Sequence, residues 1–217
     1  ITVYYREFTN AITAAAESTD PTVTLLQNVT LSDEESIYIG TDFSRGYNLT
    51  IDWNGHILSG NTWRNLLVIT QRANVTLKDS SGSNAGGVRN EYASLGYVGG
   101  TAVCVSVQGG YCVTIEGGTY SAQVLKLDCS GDLKIKGGVF ENPANANVDY
   151  AIFSCDRNRD DKGALADLLV DGYTFAYDES GTELLNVYET AHTDKGKAVY
   201  VVAHTHKFET TGKCACG

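Results

Sequence analysis

Asn48-Leu49-Thr50-Ile51-Asp52 returns along the chain as Asn74-Val75-Thr76-Leu77-Lys78, Cys112-Val113-Thr114-Ile115-Glu116, Asp132-Leu133-Lys134-Ile135-Lys136 and Asp167-Leu168-Leu169-Val170-Asp171. Each phrase is a polar starter followed by apolar-x-apolar, the period of a strand with one buried face. The phrases recur about 20 to 38 residues apart, as stacked coils with loops of unequal length would. Set in register, Leu49, Val75, Val113, Leu133 and Leu168 form one inward column, and Ile51, Leu77, Ile115, Ile135 and Val170 a second. Asp52, Lys78, Glu116, Lys136 and Asp171 follow on the opposite face with alternating sign. Parallel neighbours lie roughly 4.8 Å apart, so each charge is expected between two opposite ones on a solvated face. Exposed pairs of that kind contribute a few tenths of a kcal/mol each.

Working outward, most phrases are preceded by another apolar run, at 66–69, 102–107, 124–127 and 151–153, so each coil should hold at least two strands and a corner. Before the first phrase, Val23, Leu25, Val29, Leu31, Ile37 and Ile39 alternate in strand fashion; the last turns are expected at 184–187 and 198–202. Phe8, Ile12, Ala15 and Ala16 follow helical spacing and stop before Asp20-Pro21, which predicts one amphipathic helix within about 5–20. Its expected role is to cover the open end of the stack. A β-sandwich need not repeat one phrase in one register, and a propeller would need blades of about 40 residues with four strands each. The expected fold is therefore all-β, a right-handed parallel β-helix or solenoid over residues 1–203 with a helical N-terminal cap. Residues 204–217 are read as a tail or module boundary.

The chain of 217 residues carries 16 basic and 26 acidic side chains, a net charge of -10. That balance repels phosphate backbones and anionic lipid, which argues against a nucleic-acid partner. No apolar run reaches the roughly 18 to 20 residues that span a bilayer, so no membrane insertion is expected. Methionine occurs nowhere, position 1 included, which gives the expectation of an internal piece of a longer, exported protein. Cys104, Cys112, Cys129 and Cys155 sit in or beside apolar runs and read as buried thiols, with one or two disulfides as the alternative in an oxidising compartment.

The helix, then Thr22-Val23-Thr24-Leu25-Leu26-Gln27-Asn28-Val29-Thr30-Leu31, then Asn48-Leu49-Thr50-Ile51-Asp52-Trp53-Asn54-Gly55-His56-Ile57-Leu58 and Val113-Thr114-Ile115-Glu116-Gly117-Gly118-Thr119-Tyr120 resemble the pectin-lyase-like right-handed β-helices of Gram-positive gut bacterial surface proteins. The resemblance covers most of residues 5–203. It implies an extracellular, cell-surface location and is nearly silent on activity, because that fold carries lyases, hydrolases, adhesins and other binding domains.

Two classes of function follow. As an enzyme, the resemblance implies a lyase or hydrolase on acidic polysaccharide, with clustered carboxylates holding Ca²⁺ or acting as acid and base beside an Arg or Lys. Asp156, Arg157, Arg159, Asp160 and Asp161 are the local match, although a charge-rich loop is ordinarily just solvated. The hydrolase signatures Gly-His-Gly and Arg-Ile-Lys do not occur; Gly55-His56-Ile57 is a partial likeness, and His56 reads as a turn residue. As a binding domain, the chain would use loops and aromatics: Trp53, Trp63, Tyr92, Tyr97 and Tyr150 are the candidates. Exposed aromatic faces stack on sugars or anchor proteins, so the expected partner is a host glycan or host protein, an immunoglobulin included. The competing reading packs those aromatics onto the coils. Binding is the leading reading, the enzyme the alternative and a structural spacer the third.

Asn28, Asn48 and Asn74 each open an Asn-x-Thr triplet, but all coincide with strand starts, where Asn bonds local backbone. His204, His206, Cys214 and Cys216 form a zinc set on paper, with a Cys-x-Cys spacing tighter than the usual one. Similar His and Cys-Gly endings close modules in the proteins this chain resembles, so an ordered tail without metal is the competing reading.

Overall fold

The computed structural model describes residues 3–41, 46–92, 100–127, 130–142 and 148–205. Helix α1 (Phe8–Ala16) has no side-chain cap; it is held by Phe8, Ile12 and Ala15, which bury one stripe against the first strands. For a helix this short such packing, rather than propensity, supplies the stability.

After α1 the chain lays down three short strands, β1 (Thr22–Thr24), β2 (Val29–Thr30) and β3 (Ile37–Ile39), and then returns to the start of the same circuit. Strand β4 (Tyr47–Asp52) pairs parallel with β1, β5 (Ile57–Gly60) with β2 and β6 (Asn65–Gln71) with β3. The next circuit adds β7 (Ala73–Lys78), β8 (Gly87–Asn90) and β9 (Thr101–Val107) in the same order. Strand β10 (Cys112–Ser121) then runs past both β7 and β8, and β12 (Asp132–Glu141) past β10, while β11 (Val124–Leu127) and β13 (Ile152–Cys155) extend the third position. The result is mostly β, a ten-stranded and a five-stranded sheet dominated by parallel pairs.

The columns expected from the repeated phrase are present for its first four copies. Leu49, Val75, Val113 and Leu133 are consecutive register partners, as are Ile51, Leu77, Ile115 and Ile135, and all are buried. Two further inward columns run through Val29, Leu58, Val88, Tyr120 and Phe140, and through Ile37, Leu67, Val103, Val124 and Ile152. Full burial of side chains of this size contributes about 1.5–3 kcal/mol each.

Corners between these columns are held by side chains of the loops. The Asp79 carboxylate accepts the N–H groups of Gly55 at 2.7 Å and Gly86 at 2.9 Å and both the N–H and hydroxyl of Ser81. Burial opposes its ionisation, but those hydrogen bonds outweigh burial and hold the carboxyl below its ordinary range. Asn84 accepts from Gly118 N–H at 2.9 Å and so ties this corner to the next circuit. Gly118 has φ +100°, and a Cβ there would stand 2.9 Å from Gly86 O and 3.0 Å from the Trp53 ring.

Three expectations are corrected. Trp53 is not partly exposed: it is 0 % exposed, with Nε1 donating to Tyr120 Oη at 3.2 Å. The turn falls one residue later, at Asn54 (φ +48°) and Gly55 (φ +78°), so Trp53 still follows the strand's alternation inward. The fifth phrase is not a strand. Asp167 accepts the N–H of Ala164 at 3.0 Å and closes a 3₁₀ turn over Leu165–Leu168, after which Leu169, not Val170, bridges to Ile135. The charge ladder resolves into two pairs, Lys78–Asp52 at 3.5 Å and Lys136–Glu116 at 2.8 Å. Asp52 is only 6 % exposed and also accepts the N–H groups of Asn54 and Ser80, and the row breaks between the two pairs because the register of β10 on β7 ends at Ile115 and Leu77, one residue short of Glu116 and Lys78.

The parallel order also ends earlier than expected. Strand β15 (Val199–Ala203) joins the ten-stranded sheet antiparallel to β12 and to β14 (Tyr173–Ala176), and Leu185 N–H donates to Phe175 O instead of opening another circuit. The antiparallel pair β15 and β14 thus covers the edge that β12 would otherwise present to a further parallel strand.

Candidate functional site

Beyond β13 the chain leaves the repeating circuits and wraps the end of the stack. Residues 156–161 turn back on themselves: Asp156 Oδ1 accepts the N–H groups of Asn158 at 2.7 Å and Asp160 at 3.0 Å. Asp156 is thus engaged in shaping the loop. Arg159 (φ +67°) reaches Gln123 Oε1 at 3.4 Å, whereas Arg157 and Asp160 project into solvent. Asp161 bridges Cys155 across an antiparallel contact, with its carboxylate outside. The five charged candidates are therefore not convergent; of them Asp161 lines the larger of two clefts, and the other four line neither.

That carboxylate meets a residue the sequence reading did not single out. His192 Nε2 lies 3.8 Å from Asp161 Oδ2, while Nδ1 is 3.1 Å from Thr193 O. A carbonyl only accepts, so in the neutral ring Nδ1 carries the proton and the Nε2 lone pair faces Asp161. The imidazole stacks on Tyr150 (centroids 3.9 Å apart, 13° between planes) and meets Phe153 edge-on. Tyr150 thereby has one face occupied within the protein.

Tyr188, 51 % exposed, stands between two clefts. Its N–H donates to Asn186 Oδ1 at 3.2 Å, which sets the turn that carries the ring outward. The larger cleft, about 270 Å³, is lined by Asp161, Tyr188, Glu189 and Thr190 among others. The smaller, about 170 Å³, is lined by Leu169, Asp171, Tyr173, Thr174, Val187 and Tyr188 among others. Thr174 is 1 % exposed and its hydroxyl has no hydrogen-bond partner. A buried polar group left in that state costs about 1–3 kcal/mol.

Of the remaining aromatic candidates, Trp63 is exposed at the corner between β5 and β6 with the Arg64 guanidinium 5.0 Å from its ring, and Tyr92 is half-buried. Tyr97 lies outside the described residues, as do Cys129, His206, Cys214 and Cys216; His204 is half-buried with its N–H on Gly172 O. Among the described residues no group of three or more His, Cys, Asp or Glu is placed to hold a metal. Cys112 and Cys155 are free thiols.

The Asn-x-Thr asparagines serve the stack: Asn28 accepts Ile57 N–H, Asn74 donates to Asn48 and accepts Cys112 N–H. His56 is a turn residue, its N–H on Trp53 O.

Searched against protein-family models, curated proteins and solved structures, the chain finds no match in any of the three.

Proposed function

We propose that this chain is a recognition domain built as a right-handed parallel β-helix and displayed outside a bacterial cell. The three-strand circuits, each pairing parallel with the one before, support the helix. Its hand follows from the right-handedness of about 98% of parallel crossover connections. The resemblance of the repeated phrases to surface-protein β-helices supports the location.

The observation that carries recognition is Tyr188, a half-exposed ring set between two clefts at the end of a rigid stack. An aromatic face held by a turn, with carboxylates and a threonine around it, suits contact with a host glycan or a host protein. The candidate acids support binding over catalysis, since Asp156 shapes its own loop and the exposed Asp160 is not among the residues that line either cleft.

Arrays of host glycans and host proteins test this. The expected result is saturable binding that Tyr188→Ala removes. A blank array would leave a spacer as the better reading, and release of unsaturated or reducing-end product from polyuronate or mucin glycans, lost in Asp161→Asn, would establish the enzyme instead.

A further inference from the structure

The two ends of the stack are finished differently. At the C-terminal end the last parallel strands are covered: β13 exchanges hydrogen bonds with Ala191 and Thr193, and β12 is met by β15. At the N-terminal end α1 packs chiefly on β1 and β4. Strands β2 and β3 of the first circuit each have one neighbour, in the second circuit, and β3 ends the five-stranded sheet. The N–H groups of Leu31 and Glu34 beside them also donate to the second circuit, to Ser59 O and Asn61 O. Among the described residues, nothing hydrogen-bonds to the backbone on the other edge of β2 or β3.

Exposed apolar side chains gather at the same end. Seven large ones are exposed among the described residues, and five of them, Val3, Tyr4, Tyr5, Leu26 and Tyr38, belong to the segment before α1 and to the first circuit. Tyr38 is the outward residue of β3 itself, between the buried Ile37 and Ile39. Edge strands are commonly blunted by Lys or Pro, and Ile37-Tyr38-Ile39 carries neither. Free main-chain groups beside an apolar ring are what an added strand uses, hydrogen bonds for affinity and alternate side chains for specificity.

Charge selects the strand. Over residues 3–41 Arg6 is the single basic residue, against Glu7, Glu17, Asp20, Asp33, Glu34 and Glu35. The last three are exposed together at the turn into β3. A second copy is a poor occupant, because its C-terminal end is already paired and two N-terminal ends would set these carboxylates against each other.

We infer that β3 is a docking edge for an extended strand of another polypeptide, apolar in alternation to meet Tyr38 and flanked by Lys or Arg to meet Asp33, Glu34 and Glu35. The added strand takes the place that a preceding circuit would hold and lengthens the five-stranded sheet by one. This edge lies at the opposite end of the stack from Tyr188 and does not depend on the recognition reading.

Titration of the whole chain with capped Lys-Thr-Val-Thr-Val-Thr-Lys tests the assignment, with Glu-Thr-Val-Thr-Val-Thr-Glu and the lysine peptide N-methylated at every central residue as controls. The lysine peptide should bind saturably, and both controls at least about tenfold more weakly. Hydrogen exchange should slow at residues 36–40 and stay unchanged at residues 187–193. Glu34→Lys and Tyr38→Thr should each weaken the lysine peptide about tenfold. Both side chains are exposed, so thermal melts of the two variants should match the parent and separate loss of the site from loss of the fold. No binding of the lysine peptide at about 1 mM, equal binding of either control, protection elsewhere, or binding indifferent to both variants overturns the assignment. So does a concentration-dependent dimer in sedimentation that Tyr38→Thr dissolves, which would make a second copy the occupant.

Discussion

Residues 22–141 and residues 156–205 are held together by different physics. In the first, every circuit repeats the same inward columns, so each strand is specified by the one beneath it and a register slip would turn apolar side chains to solvent. In the second, one side chain does each job once: Asp156 closes a loop, Asp167 reaches back to cap a 3₁₀ turn, His192 stacks on Tyr150, and β15 reverses the sheet. Repetition makes a platform of like circuits, and the two clefts beside Tyr188 are lined entirely by residues 161–191. The capping segment, which does not repeat, supplies the lining of both.

Substitutions should separate the two regions. The largest loss is expected for Trp53→Ala, which empties a fully buried site and strips Tyr120 of a donor; about 3–5 kcal/mol should vanish in denaturant melts. By contrast, Tyr188→Ala at the exposed septum should stay within about 0.5 kcal/mol of the parent. Asp79→Asn should cost about 1–3 kcal/mol at neutral pH, because the amide cannot accept all the hydrogen bonds that the carboxylate does. The Asp79 carboxyl is depressed in the folded chain, so its contribution is complete above the unfolded value near 3.9 and declines as pH falls toward and through the folded one. Melts between pH 7 and pH 2 should show a shallower acid decline in Asp79→Asn than in the parent.

Smaller effects sharpen the comparison. Thr174→Val removes an unpartnered buried hydroxyl and should leave stability unchanged or raise it by up to about 1 kcal/mol in the same melts. Smallest of all, a double-mutant cycle on Lys136 and Glu116 should give less than about 1 kcal/mol, since both are partly exposed. The same cycle on Lys78 and Glu116 should give about zero; a coupling as large as that of Lys136 with Glu116 would restore the continuous ladder that the sequence suggests.

How much was legible in the sequence follows the same division. The inward columns through Leu49 and Ile51 could be read because alternation has only one consistent register. Asp167-Leu168-Leu169-Val170-Asp171 matched the phrase in composition, yet Asp167 is used as a cap, a role that depends on the N–H of Ala164 and not on period. Trp53 was misplaced by a single residue, because Asn54 and not Trp53 takes the positive φ. At the site, the charged loop pointed to Asp161, but nothing periodic marks Tyr188, Thr174 or His192. Their neighbourhood is created by the antiparallel pairing of β14 with β15 and by the bridge from His192 to Phe153.

The central claim, that recognition resides in the non-repeating cap, is tested most directly by amide chemical-shift mapping during titration with a glycan or protein that the arrays return. The account predicts perturbations concentrated at residues 161–164, 169–174 and 187–191, with residues 22–141 unmoved. Perturbations running along the strands of residues 22–141, with the cap silent, would contradict it.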